Sequence, residues 1–214
     1  MKKIHKLAEP RQLIEYRSKP GAVYDGPQFT TVKKSIKIQL LKEQGYLCAY
    51  CMTRIKIEDM KVEHFLCQTG NSLEQLNYKN LLGCCNGGEG QKSRNQTCDT
   101  KKGSSSILFS PADNMCNIES KIKYSRSGRV SSDDVNFEKQ INEILNLNYS
   151  RLILNRESAL EGAISFLSKK AGTRSKIEIQ KVIDIYTTKD ANSKFKEYSG
   201  YLLYYLNRKL KKAN

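Results

Sequence analysis

The spacing of hydrophobic residues changes several times along this 214-residue chain, and each change predicts an element. From Thr30 to Gln44, the residues Val32, Ile36, Ile38, Leu40 and Leu41 recur among lysines in a helical pattern. Gly45 then stands where a helix end takes a left-handed residue. Residues 54–68 read as a short hairpin with Ile55, Ile57 and Val62 as strand positions, and Asn80-Leu81-Leu82 opens a further turn. Gly83, Gly87, Gly88 and Gly90 make a loose loop after it. Between Ser104 and Ser132 the pattern is irregular, although Lys121–Ser125 and Arg129–Ser131 flank Ser127-Gly128 as a small hairpin. From Val135 onward the period is helical. Its stripes are Phe137, Ile141, Ile144 and Leu145, then Leu152, Leu160, Ile164 and Leu167, then Ile179, Val182, Ile183 and Tyr186. A last helix is expected over roughly 191–212, where Tyr198, Tyr201, Leu202, Tyr205 and Leu206 alternate with Lys194, Lys196, Arg208, Lys209, Lys211 and Lys212. Stripes of this kind are most often core. The tyrosine–lysine face of the last helix suits packing better than base stacking. Residues 1–28 are polar and punctuated by Pro10, Pro20-Gly21 and Gly26-Pro27, which predicts an N-terminal arm. No internal repeat interrupts this order.

Charge sharpens the picture. With 37 basic and 22 acidic residues, the formal charge is +15, an imbalance that attracts polyanions through phosphate neutralisation and counterion release. A solubility charge is the plainer explanation of the same number. The seven cysteines are an odd count, and no signal-peptide core opens the chain, so a disulfide framework is not expected. No apolar run approaches the roughly 18–20 residues of a membrane span. The expected setting is soluble and cytoplasmic, with no membrane partner. In a reducing compartment, paired cysteines favour metal ligation over redox chemistry.

The candidate chemistry falls in the middle of the chain. Cys48-Ala-Tyr-Cys51 supplies two thiolates in one turn, and Cys98 with either Cys84 or Cys85 can complete a tetrahedral zinc site. No βαβ pattern surrounds Cys48, which argues against a thioredoxin-type motif. Cys67 and Cys116 have no partner by spacing and read as ordinary thiols. Only two histidines are present. His5 lies in the expected arm; His64 directly follows Glu63, between the cysteine groups. A lone histidine is more often structural than catalytic, but its company here favours catalysis, and a neutral imidazole suits a general base near neutral pH. Neighbours on a strand point to opposite faces, so Glu63 and His64 can cooperate only if the backbone or a metal bends between them.

The runs Leu41-Lys-Glu-Gln-Gly-Tyr-Leu-Cys-Ala-Tyr-Cys51, Val62-Glu-His64, Asn80-Leu-Leu-Gly83 and Cys98-Asp-Thr-Lys-Lys-Gly103 resemble the HNH nucleases of the Septu and retron-associated anti-phage systems. Glu143-Ile-Leu-Asn-Leu-Asn148 is similar to the start of that family's helical region. The lysine-rich opening, with Glu9-Pro10 and Tyr16, fits as well. The resemblance covers most of the chain, and it is strongest over 41–103 and thinner beyond 150. It implies an α+β fold with a ββα-metal (HNH, His-Me finger) core and a four-cysteine zinc knuckle, flanked by an N-terminal helix and a helical C-terminal region. The division implied is an arm at 1–29, a nuclease module at 30–110 and a mainly helical partner-docking region at 111–214.

The resemblance also implies roles. His64 would act as general base, Asn80 would orient it, and Lys102 would meet a phosphate. Cys48, Cys51, Cys85 and Cys98 would hold structural zinc, with Cys85 taken over Cys84 from its offset to Asn80. Glu63 and Asp99 would hold the catalytic cation. Asp99 replaces the usual His or Asn, and its hard oxygen favours Mg²⁺ or Mn²⁺. The implied partners are nucleic acid, with DNA favoured and tRNA possible, and an ABC/SMC-like ATPase. The alternative is a zinc-stapled nucleic-acid-binding module without cleavage.

Overall fold

The first long element is the helix that carries the chain into the cysteine turn. The computed structural model describes residues 1–167 and 175–213. Helix α1 (Arg11–Arg17) precedes α2 (Phe29–Gln44), which buries Phe29, Val32, Ile36, Leu40 and Leu41 and leaves Ile38 at the surface. Gly45 ends α2 with φ 58° and ψ 38°. A Cβ there would lie 2.3 Å from the Phe195 ring, so the position requires glycine for both backbone and space.

Two four-residue strands follow. β1 (Lys61–His64) and β2 (Leu81–Cys84) pair antiparallel, with Glu63 opposite Leu82 and His64 opposite Leu81. The sequence pattern places a hairpin within 54–68. In fact only Lys61–His64 of that run is strand, and its partner is the Leu81–Cys84 segment expected to begin a turn. The buried Gln44 carboxamide fixes this pairing to α2, donating to the Leu47 and Gly83 carbonyls at 2.7 Å each and accepting from the Gly83 amide at 2.7 Å. Helix α3 (Cys98–Lys102) comes next, in β–β–α order.

A short helix α4 (Ile118–Lys121) leads to β3 (Lys123–Tyr124) and β4 (Val130–Ser131), the small hairpin expected around Ser127-Gly128. Helix α5 (Val135–Lys139) continues into a π-helical turn over Gln140–Ile144. Then come α6 (Ser150–Leu167), α7 (Lys176–Thr187) and α8 (Ser199–Lys212). A capping box at Ser175 and Glu178 opens α7. The last helix begins at Ser199 rather than near 191. The Asp190 carboxylate instead folds 190–194 into a turn through the Asn192 and Lys194 amides, and Tyr198 takes a left-handed φ of 55°.

The expected N-terminal arm is packed. Met1, Ile4, Leu13 and Tyr16 join the main core with residues of α2, the cysteine turn, α5 and α8. The apolar residues of this segment follow no clear period, but several of them become buried, and Lys6 inserts beside Glu43 at 3.0 Å. The Glu43 carboxylate also accepts from the Leu7 amide and the Tyr78 hydroxyl. A second, smaller cluster joins Leu167 of α6, Ile179, Val182 and Ile183 of α7, and Leu203 and Leu206 of α8. Among the described residues, no helix is long and apolar enough to cross a membrane.

Candidate metal and acid–histidine site

The cysteine turn is built by short-range backbone bonds. Leu47 and Arg54 form an isolated bridge, the Cys48 amide donates to the Thr53 carbonyl at 2.9 Å, and Met52 closes on the Cys48 carbonyl with φ 64°. The Ala49 amide donates to the Gly83 carbonyl at 3.0 Å, which docks the turn on β2. Arg54 clamps the other side, donating to the carbonyls of Gly45, Tyr46 and Phe195. Cys85 leaves the end of β2, and Cys98 opens α3, where its amide donates to the Leu145 carbonyl at 2.9 Å. Gly87 permits the loop between them. With φ 58°, it accepts from the Thr97 amide at 2.9 Å, where a Cβ would stand 2.2 Å from the Thr97 oxygen.

The Sγ atoms of Cys48, Cys51, Cys85 and Cys98 lie within 4.8 Å of one another, and Cys51 and Cys85 are 3.8 Å apart. Four thiolates about 2.3 Å from a tetrahedral zinc stand about 3.8 Å from one another, so the donor set fits that ion. The electrostatics agree. Burial pushes Cys48 up, but hydrogen bonds from Cys51, Cys84, Cys85 and Cys98 outweigh it and draw the thiol well below its ordinary value. Hydrogen bonding to Cys48 pushes Cys85 and Cys98 up. A cluster that concentrates negative charge on one sulfur is stabilised by a cation, which removes the remaining protons. Cys84 is buried and raised chiefly by burial; it lies outside the four-sulfur group.

The acid–histidine segment occupies β1, and its side chains alternate as a strand requires. Glu63 is 3% exposed. Its Oε1 accepts from the Tyr50 hydroxyl at 3.0 Å and pairs with the Lys102 ammonium at 2.9 Å. Burial pushes its carboxyl up to about 9, helped by a hydrogen bond and like charge from Asp99 and opposed by Lys102. Asp99, one residue into α3, thus brings a second carboxylate beside Glu63, and its side chain is 16% exposed. Two carboxylates set side by side, one of them buried, are a donor set that a hard divalent cation fits.

His64 turns to the other side of the strand. Its Nε2 lies 2.9 Å from the Gln75 carbonyl oxygen, and the Tyr24 ring meets its ring edge-on at 4.4 Å. Burial draws its pKa below the ordinary value, against the Gln75 hydrogen bond. Asn80 ties down the loop that follows. Its Oδ1 accepts from the Leu66 amide at 2.8 Å, and its Nδ2 donates to the carbonyls of Leu66 and Glu74.

Lys102 is expected from its motif position to meet a phosphate, but its side chain is fully buried. It serves as counter-ion to Glu63, and its Nζ also donates to the His64 carbonyl at 3.3 Å. Buried charges need partners, and a lysine at the end of α3 finds one where a carboxylate is desolvated with it. Three residues escaped the sequence reading. Tyr50 sits inside the Cys-x-x-Cys turn, where it reads as a spacer. Lys61 lies 2.9 Å from Glu89 and 3.9 Å from Asp99, with its side chain 29% exposed. Gln68 places its carboxamide against the His64 ring. Of the three, Lys61 alone left a signal, as a basic residue two positions before Glu63.

The fold and site define a mixed α+β chain with a four-thiol metal cluster beside a buried acid–histidine strand. Comparison with known proteins then gives a direction. No family model matches the chain. It is 32% identical over 118 residues to "Retron Ec83 putative HNH endonuclease" of Escherichia coli, covering 48% of this chain and 46% of that protein. It is 25% identical over 163 residues to "Retron Vc95 putative HNH endonuclease" of Vibrio cholerae serotype O1 biovar El Tor, covering 72% of this chain and 77% of that one. The chain thus spans about half the length of the first relative. The two similarities support a nuclease of the HNH type.

Proposed function

We propose that the chain is a metal-dependent HNH endonuclease that hydrolyses phosphodiester bonds of nucleic acid, with His64 as general base. The observation that carries this reading is the contact of His64 Nε2 with the Gln75 carbonyl oxygen. A carbonyl oxygen only accepts, so the Gln75 oxygen at 2.9 Å takes the proton on Nε2 and leaves the lone pair on Nδ1. Burial keeps that ring neutral, and a neutral imidazole with an oriented lone pair can deprotonate a water for in-line attack on phosphorus. The β–β–α order of β1, β2 and α3 supports a ββα-metal core.

In this reading Glu63 and Asp99 hold Mg²⁺ or Mn²⁺, which when bound would stabilise charge on the phosphoryl and leaving oxygens. Tyr50 and Lys102 hold the Glu63 carboxylate in place, and both contacts fall on Oε1. Asn80 braces the loop whose Gln75 carbonyl orients His64. Lys61, beside Asp99 and partly open to solvent, takes the phosphate-facing role that Lys102 cannot fill. Cys48, Cys51, Cys85 and Cys98 hold a structural zinc.

The formal charge of +15 supports a nucleic-acid partner, with duplex DNA favoured and tRNA as the second candidate. The odd number of cysteines and the gathering of four of them as metal ligands support a cytoplasmic setting. Effector duty in an anti-phage system with an ABC/SMC-like ATPase rests on the motif resemblance and on the retron names of the relatives.

The test is cleavage of supercoiled plasmid DNA and of total tRNA with Mg²⁺ or Mn²⁺, wild type beside His64→Ala, each with and without the ATPase. Metal-dependent cutting lost in the variant supports the reading and identifies the substrate. Zinc-loaded protein that binds both substrates and cuts neither would replace it with a binding module.

A further inference from the structure

The proposed chemistry leaves one strongly charged face unused, where the β3–β4 turn meets α8. Helix α8 carries no acidic residue, and its Arg208, Lys209, Lys211 and Lys212 form no ion pair among the described residues. Arg126 and Arg129 of the turn are exposed and equally without an acid. The turn itself is fixed from behind. The Tyr201 hydroxyl donates to the Arg126 carbonyl at 3.1 Å, and the buried Arg156 donates to the Gly128 carbonyl. Gly128, with φ 77°, passes so close to α6 that a Cβ would stand 2.4 Å from the Ile153 oxygen. These contacts use the backbone of the turn and leave its two arginine side chains at the surface.

On α8, Tyr201, Tyr205, Arg208 and Lys212 recur at helical spacing and share one face. Tyr201 is buried against the turn, Tyr205 is half-buried, and Arg208 and Lys212 are exposed. Burial and Tyr204 push the Tyr205 phenol up, while the charges of Arg208 and Arg126 oppose the rise, so both guanidiniums lie near that hydroxyl. Arg208 also donates to the Tyr204 hydroxyl at 2.8 Å, which steadies the side chain without neutralising it. Lysines in the last turn of a helix offset its dipole, and that is reason enough for Lys209, Lys211 and Lys212. It does not account for Arg208, which precedes that turn, or for Arg126, which comes from another element. Like charges gathered from two elements repel, and a polyanion relieves that repulsion. We propose that Arg126, Arg208 and Lys212, with the Tyr205 hydroxyl among them, form a second nucleic-acid contact that grips the phosphodiester backbone outside the acid–histidine site. Guanidinium groups suit this task because their fork matches phosphate oxygens, and such contacts position a strand without reading its sequence. The contact rests on the nucleic-acid partner of the reading above and adds where the strand is held.

Binding of the full zinc-loaded chain to duplex DNA and to tRNA, read by fluorescence anisotropy over a range of salt, tests this without relying on cleavage. Mg²⁺ and Mn²⁺ are left out so that neither probe is cut. In a variant carrying Arg126→Ala, Arg208→Ala and Lys212→Ala, the slope of log K against log salt should become shallower by about two to three. Its melting temperature should match the wild type. A control carrying Lys34→Ala, Lys56→Ala and Lys181→Ala removes the same charge from exposed positions elsewhere, and should change the slope by less than about one. An unchanged slope in the first variant, an equal loss in the control, or a wild type that binds neither probe would overturn the proposal. Nucleic-acid binding left intact while binding of the ATPase is lost would also overturn it, and would give the face to an acidic protein surface. Should the wild type bind with the expected salt dependence yet cut neither substrate once Mg²⁺ is added, the nuclease reading fails and the contact stands.

Discussion

The chain sets two candidate metal sites side by side, and they are made in opposite ways. The thiol cluster draws Cys48 and Cys51 from one turn, Cys85 from the end of β2 and Cys98 from the start of α3. Its sulfurs lean chiefly on one another as partners, so charge collects on Cys48. The acid centre draws Glu63 from β1 and Asp99 from α3, yet it contains a built-in cation in Lys102 and a hydroxyl donor in Tyr50. The first depends on a bound ion to become a cross-link between three segments. The second is held together by its own residues. Because Cys98 and Asp99 are adjacent in α3, the cross-link also fixes where the second carboxylate stands. In the proposed reading, a site that organises the fold and a site that takes substrate share a short stretch of chain while differing in what holds them.

The difference can be broken most severely at the cluster. Cys98→Ser, or chelation of the zinc, should remove the cross-link and unfold the cysteine-rich region. In zinc-finger peptides such metal binding is worth about 10–16 kcal/mol. Losing even a third of that here lowers Tm by about 7–20 °C, since each kcal/mol moves a chain of this size by about 2–4 °C. Calorimetry with and without chelator checks it. At the other side of β1, His64→Ala should lower metal-dependent kcat by about 10²–10⁴-fold while zinc content stays the same, measured by single-turnover cleavage and metal analysis.

Lys102→Met sharpens the contrast from within. It removes a buried hydrogen-bond partner of Glu63, whose carboxyl burial already pushes up to about 9, and should cost about 1–3 kcal/mol of stability in urea unfolding near neutral pH. Adding Glu63→Gln should change stability little further near neutral pH, because the carboxyl is then already in its neutral form. The smallest effect is expected at Lys61. Lys61→Ala should raise KM about threefold to tenfold and reduce the slope of binding against salt by about one, with Tm unaffected.

What the sequence made legible was local. The limits of α2, the left-handed Gly45, the Cys-x-x-Cys turn and the Val130 hairpin follow from neighbours within a few residues. The four-sulfur group with Cys85 rather than Cys84 matches the expectation from motif offset. The misplacements came from contacts between distant segments. Strands of four residues carry too little pattern to declare that Lys61–His64 pairs with Leu81–Cys84. The burial of Lys102 depends on Glu63 arriving from another element, and lysine is ordinarily read as surface. The N-terminal segment looked like an arm because prolines and glycines interrupt its pattern, yet Met1, Ile4, Leu13 and Tyr16 each find the core. The division at 111–214 includes residues 168–174 and 214, which lie outside the described residues. Gln68 had no sequence signal, since only the folded loop brings its carboxamide against the His64 ring.

The central claim is that the structural zinc and the acid centre are separable sites with separate duties, and Asp99→Asn tests it most directly. The purified variant would be assayed for bound zinc by metal analysis and for Mg²⁺-dependent cleavage of plasmid DNA and tRNA. The account predicts one zinc per chain and an unchanged melting temperature, with cleavage lost. Zinc lost together with cleavage, or cleavage retained at the wild-type rate, would contradict it.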